Sequence, residues 1–288
     1  MKVAILGERN NWHAKTLQEA FLKMGVQCDV FSINSIVANV SQKPIAAANS
    51  VVVDEYEVLI VRSLPPGSLE QVIFRMDLLH RLENQGIRII NSPDSLEKCV
   101  DKFYTSFLLE EHGIPTPRTI ITERFDKAME AFLYLKDIVV KPLFGSEGKG
   151  MLRIQDEEIA YRVFKALERE RMVFYIQEFI PHFNRDFRVF TIQEEPVGAI
   201  IRFSENWKTN LAAGGKAIPL QMSQEIGNLS KKASMALKTF YAGIDILKSE
   251  DGRLLVTEIN AVPGWKGLFE ATGIDIPTYL AGRILESL

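Results

Sequence analysis

Asp245, Glu258 and Asn260 are the residues of this chain whose types and spacing say most about chemistry. Two apolar runs flank Asp251-Gly252, so residues 243–256 read as a β-hairpin. With a two-residue loop, Glu250 pairs with Arg253, and counting back sets Asp245 opposite Glu258. Asn260 lies two residues on and leaves the same face as Glu258. Carboxylates facing each other across a ladder repel, so something positive belongs between them. An all-oxygen set of Asp, Glu and Asn suits a hard cation such as Mg2+ that also carries phosphate oxygens. The hairpin alone leaves open a plainer alternative, a solvated face whose acids pair with surface lysines.

Other residues bear on that choice. Lys141 ends the apolar run Ile138-Val139-Val140, where it either snorkels to solvent or aims at an anion. The segment Gly145-Ser146-Glu147-Gly148-Lys149-Gly150 follows, a glycine-dense loop whose N–H groups can converge on phosphate oxygens. It is not a P-loop, because Gly150 follows Lys149 and a strand pattern comes next. Gln177-Glu178-Phe179-Ile180 reads as a strand edge whose backbone can meet an adenine edge, or as a plain buried strand end. Arg185, Asp186, Arg188 and Arg202 interrupt apolar strands and need partners or a ligand. Arg202 is the one expected to face substrate, since a guanidinium grips a carboxylate or acyl phosphate in two places. The competing reading of Arg202 is an ion pair with Asp186 or Glu205. Lys208 and Asn210 lie in a polar stretch before Gly214-Gly215, within reach of phosphates or a ribose.

The elements that must position these groups follow from periodicity. Strands at 3–6, 28–33, 56–62 and 87–90 alternate with helices at 13–24 and 68–84, which predicts a small doubly wound α/β unit over 1–93. Its Gly7 turn lacks the full dinucleotide fingerprint. Pro93 opens a helix predicted over 94–112, and an α+β unit then runs to residue 180. The remainder, 181–288, carries strands at 186–192 and 197–203, a helix at 223–241, the hairpin and a terminal helix near 275–285. The fold class is therefore α/β (α+β), with units at 1–93, 94–180 and 181–288.

Hydrophobic residues make up 47% and charged residues 25%, the composition of a globular enzyme-sized chain. A net charge of -3 gives no bulk reason to bind nucleic acid or an anionic membrane. Cys28 and Cys99 match no metal spacing and the histidines form no zinc pattern. The two unpaired cysteines, with no signal peptide at the N-terminus, predict a cytoplasmic protein, and no apolar run reaches membrane-spanning length.

In this order the motifs resemble those of the ATP-grasp carboxylate–amine ligases, in the branch typified by RimK. The resemblance covers residues 94 to 288. It rests on Asp101-Lys102, Val140-Lys141-Pro142, the glycine loop, Gln177 to Ile180 and Arg185 to Val189. It continues through Asn210…Gly214-Gly215, Ala242 to Ile246 and Glu258-Ile259-Asn260-Ala261-Val262-Pro263-Gly264. The resemblance implies an ATP-grasp fold behind a small N-terminal α/β domain. It implies that Lys102 and Lys141 contact ATP phosphates, that the loop of Gly145, Ser146, Gly148 and Gly150 closes over them, and that Lys208 and Asn210 approach. Gln177, Glu178, Phe179 and Ile180 would hold the adenine and Asp186 the ribose. Asp245, Glu258 and Asn260 would bind two Mg2+ ions, with Mn2+ as a substitute, and Arg202 would steady an acyl phosphate.

The implied reaction joins a carboxylate to the amine of L-glutamate. Val61-Arg62-Ser63-Leu64, Phe74-Arg75-Met76-Asp77, the stretch Phe203 to Asn210 and Pro263-Gly264-Trp265-Lys266 look more like the tetrahydromethanopterin glutamate ligases than like RimK itself. A pterin-type or other small-molecule carboxylate is thus the expected acceptor. Trp265 would stack on its planar ring or serve as a packed loop anchor, and Arg188 is a second candidate for substrate binding. Modification of a protein C-terminus, as by RimK, is the alternative within the chemistry. A non-catalytic ATP-binding scaffold is the alternative outside it. A homo-oligomer is compatible with all three.

Overall fold

The computed structural model describes residues 1–145 and 148–288, with Ala213 as backbone only. The chain opens with β1 (Lys2–Leu6), α1 (Trp12–Lys23) and β2 (Gln27–Phe31). Residues 36–52, where periodicity predicts no element, form a small antiparallel sheet of β3 (Ile36–Ala38), β4 (Ala46–Ala48) and β5 (Val51–Val52). Strands of two or three residues are too short to show a period. Then β6 (Val58–Val61), α2 (Leu69–Asn84) and β7 (Arg88–Ile90) complete a parallel sheet in the order β2-β1-β6-β7. Val3 to Leu6 and Val58 to Val61 are wholly buried, as strands covered on both faces must be.

The helix predicted over 94–112 is two helices, α3 (Pro93–Val100) and α4 (Lys102–Glu111). Asp101 divides them: its backbone is extended, and its carboxylate accepts from the Phe103 and Tyr104 N–H groups. That cap makes Lys102 the first residue of α4. Next come β8 (Thr119–Thr122), α5 (Phe125–Leu135), β9 (Ile138–Lys141), β10 (Leu152–Ile154), α6 (Glu157–Arg169) and β11 (Phe174–Glu178). Their antiparallel sheet, β10-β9-β11-β8, closes its own core around Phe132, Phe164, Phe174 and Ile176. Leu108 and Leu109 of α4 pack elsewhere, with Val189, Ile244 and Ile259. Leu96 of α3 packs with Leu78, Leu79 and Leu82 of the N-terminal unit, so neither helix buries its apolar face in the core of the β10-β9-β11-β8 sheet.

A five-stranded sheet runs β14-β13-β12-β15-β16, all antiparallel. It comprises β12 (Arg185–Ile192), β13 (Glu195–Phe203), β14 (Lys216–Pro219), β15 (Tyr241–Lys248) and β16 (Leu254–Asn260). Between β14 and β15 lies α7 (Gln224–Leu237), and α8 (Lys266–Thr272) and α9 (Ile276–Glu286) follow β16. The helix predicted to residue 241 stops at Leu237 because Lys238 turns left-handed at φ 55. One face of the sheet packs on α7. The other changes character along its length. At one end Phe190, Ile200 and Tyr241 share a core with Trp265, Leu280 and the N-terminal Val3, Ile5 and Leu17. Two to four residues further along the same strands stand Arg188, Asp186, Arg202 and Asp245. The side-chain period of two thus carries one face from apolar core to charged cleft.

Candidate active site

A cleft lies between the β10-β9-β11-β8 sheet and this charged face. Its floor is built by the β15–β16 hairpin, whose register reaches the expected pairing by an unexpected route. The loop holds three residues, closed by the Ser249 N–H donating to the Arg253 carbonyl, with Gly252 at φ +91. Further along, Ile246 pairs with Val256 but Asp245 pairs with Glu258, so Thr257 is a one-residue bulge. The longer loop and the bulge shift the register in opposite senses and cancel. Asp245 faces Glu258, and Asn260 faces Gly243.

The positive charge that this pair calls for is met from the protein. Asp245, 3% exposed, accepts from Arg188 through Nε and through Nη2 at 2.7 Å. Arg202 Nη2 lies 2.9 Å from the same carboxylate. Arg188 reaches over Gly243, where an added Cβ would stand 2.9 Å from its Nη1. Burial works against ionisation of Asp245, but Arg188 and Arg202 outweigh it and hold its pKa below the ordinary range. Glu258 has no such help. Burial, then the Asp245 charge, push its pKa up, against the pull of Lys102, Arg188 and Lys141. The two acids are therefore driven apart by environment, one held as carboxylate and one poised to take a proton or a cation.

Arg202 is a correction in part. It lines the cleft, but it is 5% exposed and its Nε and Nη2 grip Asp186 at 2.8 and 2.5 Å. Burial opposes its charge, and Asp245 and Asp186 overcome that to raise its pKa. Its two-pronged contact is thus made to Asp186, whose carboxylate is engaged instead of open to a ribose. Arg188 is likewise drawn onto Asp245 and does not line the cleft. Trp265 is wholly buried in the core and so packs as a loop anchor; no cleft ligand can stack on it.

Two lysines face the acids from the opposite wall. Lys141 Nζ donates to Gln177 Oε1 at 2.6 Å, and burial lowers its pKa to about 8 despite the Glu258 charge. Lys102 Nζ donates to the Gly145 carbonyl at 2.8 Å, and burial likewise lowers its pKa. Gly148 and Gly150 have φ of +71 and +74, and a Cβ on Gly148 would stand 2.6 Å from Asn210 Oδ1. Glycine is thus required where the loop meets the 207–210 segment. Ser146 lies outside the described residues.

Gln177, Glu178, Phe179 and Ile180 line the cleft, with Lys208 and Asn210 across from them. The Glu178 carboxylate is taken by Arg118, at 2.7 Å to Nε and 2.8 Å to the backbone N–H. What it can offer a base is therefore main chain. Sequence reasoning missed Trp207, His182, Met151 and Leu247, which also line this end. Trp207 meets the Phe179 ring edge-on at 6.2 Å, and Arg153 covers that ring at 3.5 Å. Leu247 was open to detection, since it shares the face of Asp245 two residues away.

Among the described residues no group of three His, Cys, Asp or Glu could hold a metal alone. Asp245 and Glu258, oxygen donors beside two lysines, instead fit a Mg2+ that shares its shell with phosphate, whereas Asn260 is not among the residues that line the cleft. No helix among the described residues is long and apolar enough to cross a membrane.

Comparison with known proteins shows the family. A family model described as the RimK-like ATP-grasp domain matches residues 99–287. The chain is 33% identical to the tetrahydromethanopterin:alpha-L-glutamate ligase of Methanococcus maripaludis, covering 99% of this chain and 98% of that one. It is 35% identical to the alpha-aminoadipate–LysW ligase LysX of Sulfolobus acidocaldarius, covering 71% of this chain and 76% of that one. In fold it resembles the ATP-grasp ligase PsnB complexed with a minimal precursor, with TM-score 0.79, 18% identity, and coverage of 99% of each chain. That fold implies binding of ATP and Mg2+. The protein is an amide-forming ligase and belongs to the RimK-like ATP-grasp family.

Proposed function

We propose that this ligase adds L-glutamate to a small-molecule carboxylate of pterin type, with ATP bound across the cleft. The observation that carries the site assignment is the facing of Asp245 and Glu258 beneath Lys102 and Lys141. Lys102 and Lys141 hold the ATP phosphates, with Lys208 and Asn210 at their flank and Gly145, Gly148 and Gly150 over them. The main chain of Glu178 to Ile180 meets the base, beside Trp207, and Gln177 orients Lys141. Asp245 and Glu258 are the groups that would hold two Mg2+ ions. Bound there, Mg2+ would supply neutralisation of phosphate charge.

The acceptor carboxylate attacks that phosphorus and forms an acyl phosphate, releasing ADP. The glutamate amine then adds to the acyl carbon and expels phosphate, leaving an amide. No side-chain nucleophile is needed, because phosphoryl transfer depends on positioning and charge neutralisation. Arg202 steadies the acyl phosphate from its place beside Asp186 and Asp245. The cleft walls keep that intermediate from water. The support for glutamate and a pterin acceptor is the full-length likeness to tetrahydromethanopterin glutamate ligases.

The purified protein, incubated with Mg-ATP, L-glutamate and either tetrahydromethanopterin or a peptide C-terminus, decides the acceptor. The expected result is ADP release matched by a pterin product one glutamate heavier. A mass gain on the peptide alone would reassign the acceptor, and ADP release indifferent to both would sink the ligase reading of the cleft.

A further inference from the structure

One face of β11 carries a run of hydrogen bonds that ends on a lysine in the cleft. Phe174 and Ile176 belong to the core of the β10-β9-β11-β8 sheet, so the strand period of two sends Tyr175 and Gln177 to the opposite face. Tyr175 stands directly across the ladder from Lys141, and Gln177 lies one diagonal step from it. Both are almost wholly buried, at 1% and 3% exposure, and Gln177 and Lys141 line the cleft. Lys141 Nζ also lies 6.0 Å from the centre of the Tyr175 ring, at the limit of cation–π range.

The direction of each bond in this run follows from the lysine. An ammonium has only hydrogens to give, so the Gln177 amide must turn Oε1 toward Lys141 Nζ, at 2.6 Å. Its Nε2 then faces the other way and donates to Thr119 Oγ1 at 2.9 Å and to Tyr175 Oη at 3.2 Å. Thr119 can accept, because its own hydroxyl donates to the Pro117 carbonyl at 2.9 Å. Tyr175 accepts from the amide and has its hydroxyl hydrogen left to give to Ser106 Oγ at 2.8 Å. Ser106 stands four residues after Lys102 on α4, a helix that packs in the core with Val189, Ile244 and Ile259. The Tyr175–Ser106 bond thus joins the two units that supply the two lysines of the cleft wall.

The hydrogen-bond partner of Lys141 is a neutral amide although the lysine is buried. A carboxylate at 177 would satisfy the ammonium and also neutralise it, whereas an amide leaves its charge for an incoming anion. An amide gripped at both its oxygen and its nitrogen holds that charge in one place, so less order is lost when a phosphate arrives. We propose that Tyr175, acting through Gln177, is a positioning residue for ATP, and that its bond to Ser106 sets the place of Lys141 relative to Lys102. This rests on the reading of Lys141 as a phosphate-binding group.

Tyr175→Phe and Ser106→Ala test it in the full-length protein, each alone and each combined with Lys141→Met, by calorimetric Mg-ATP binding and steady-state kinetics. Tyr175→Phe keeps the ring but leaves the Gln177 amide one acceptor short. Mg-ATP affinity is expected to fall about threefold to tenfold and KM for ATP to rise as much, with KM for glutamate and for the acceptor unchanged. Ser106→Ala should cause a smaller fall in the same direction, and it carries the test if Tyr175→Phe does not fold. In the Lys141→Met background neither substitution should change the remaining affinity, because no ammonium is left to place. A loss of equal size in both backgrounds would mark a purely structural role and overturn the proposal. Affinity equal to wild type in both single variants would overturn it too. The calorimetric arm needs no acceptor, so it decides even where turnover is not seen. Failure of the phosphate reading shows separately, as Lys141→Met alone binding Mg-ATP as tightly as wild type, and the proposal would fall with it.

Discussion

Arg202 in the cleft and Arg62 in the seam between the N-terminal α/β unit and the five-stranded sheet are both buried but solve the cost of burial differently. Arg188 and Arg202 lie among carboxylates, sharing Asp245, with Asp186 held by Arg202 alone. Arg62 lies among a carbonyl, a phenol and an indole. A pair of charges can exchange partners when a cation or phosphate arrives, because each group still finds an opposite charge. A cation held by dipoles and a ring has no such exchange, and it serves to fix a neighbour in place. The same residue type is therefore set for rearrangement in one region and for rigidity in the other.

Substitutions in the cleft should alter turnover at nearly unchanged stability, and those in the seam should do the reverse. The largest effect is expected from Glu258→Gln: turnover falls by about 10³ at saturating ATP, while the melting temperature holds or rises as repulsion with Asp245 is relieved. A variant with near-normal turnover at limiting Mg2+ contradicts the metal assignment. In the seam, Trp265→Ala should cost about 3 kcal/mol or more in a denaturant melt, from the cavity it leaves. A melt within error of wild type would show the indole to be dispensable.

Lys141→Met is expected to weaken ATP binding by about 2 kcal/mol or more, read as KM for ATP. Equal affinity would remove Lys141 from the phosphate site. Arg202→Lys should slow turnover about tenfold, since an ammonium cannot serve Asp186 and Asp245 together. The smallest effect is a pH dependence. Burial lowers the Lys141 pKa to about 8, so its ammonium is lost as pH rises through that value. Mg-ATP affinity should therefore fall by up to about tenfold between pH 7 and 9. Lys141→Arg should flatten that fall, and a flat wild-type profile would contradict it.

Much of this was legible in the residues. The facing of Asp245 and Glu258 follows from a strand period and a turn, although the three-residue loop and the Thr257 bulge reach it by cancellation. Counting residues gave no sign of either. Lys141 was visible as a strand end, and Lys102 only through the family resemblance at Asp101-Lys102. The partner of Arg202 was not, because Asp186 and a substrate anion offer a guanidinium the same geometry. Trp265 stayed open between two readings for a related reason: an indole after Pro263-Gly264 fits a cleft ring or a buried socket, and only the packing around it shows the socket. The split at Asp101 was hidden because apolar periodicity continues through a cap.

The central claim is that a carboxylate meets the γ-phosphate of ATP over the Asp245–Glu258 floor. Acceptor labelled with 18O in its carboxylate, turned over with Mg-ATP and L-glutamate, tests it most directly by mass spectrometry of the released phosphate. The expected result is one 18O atom transferred to each phosphate in the wild-type protein, with transfer abolished in Glu258→Gln. Phosphate carrying no label alongside amide product would contradict an acyl phosphate in this cleft.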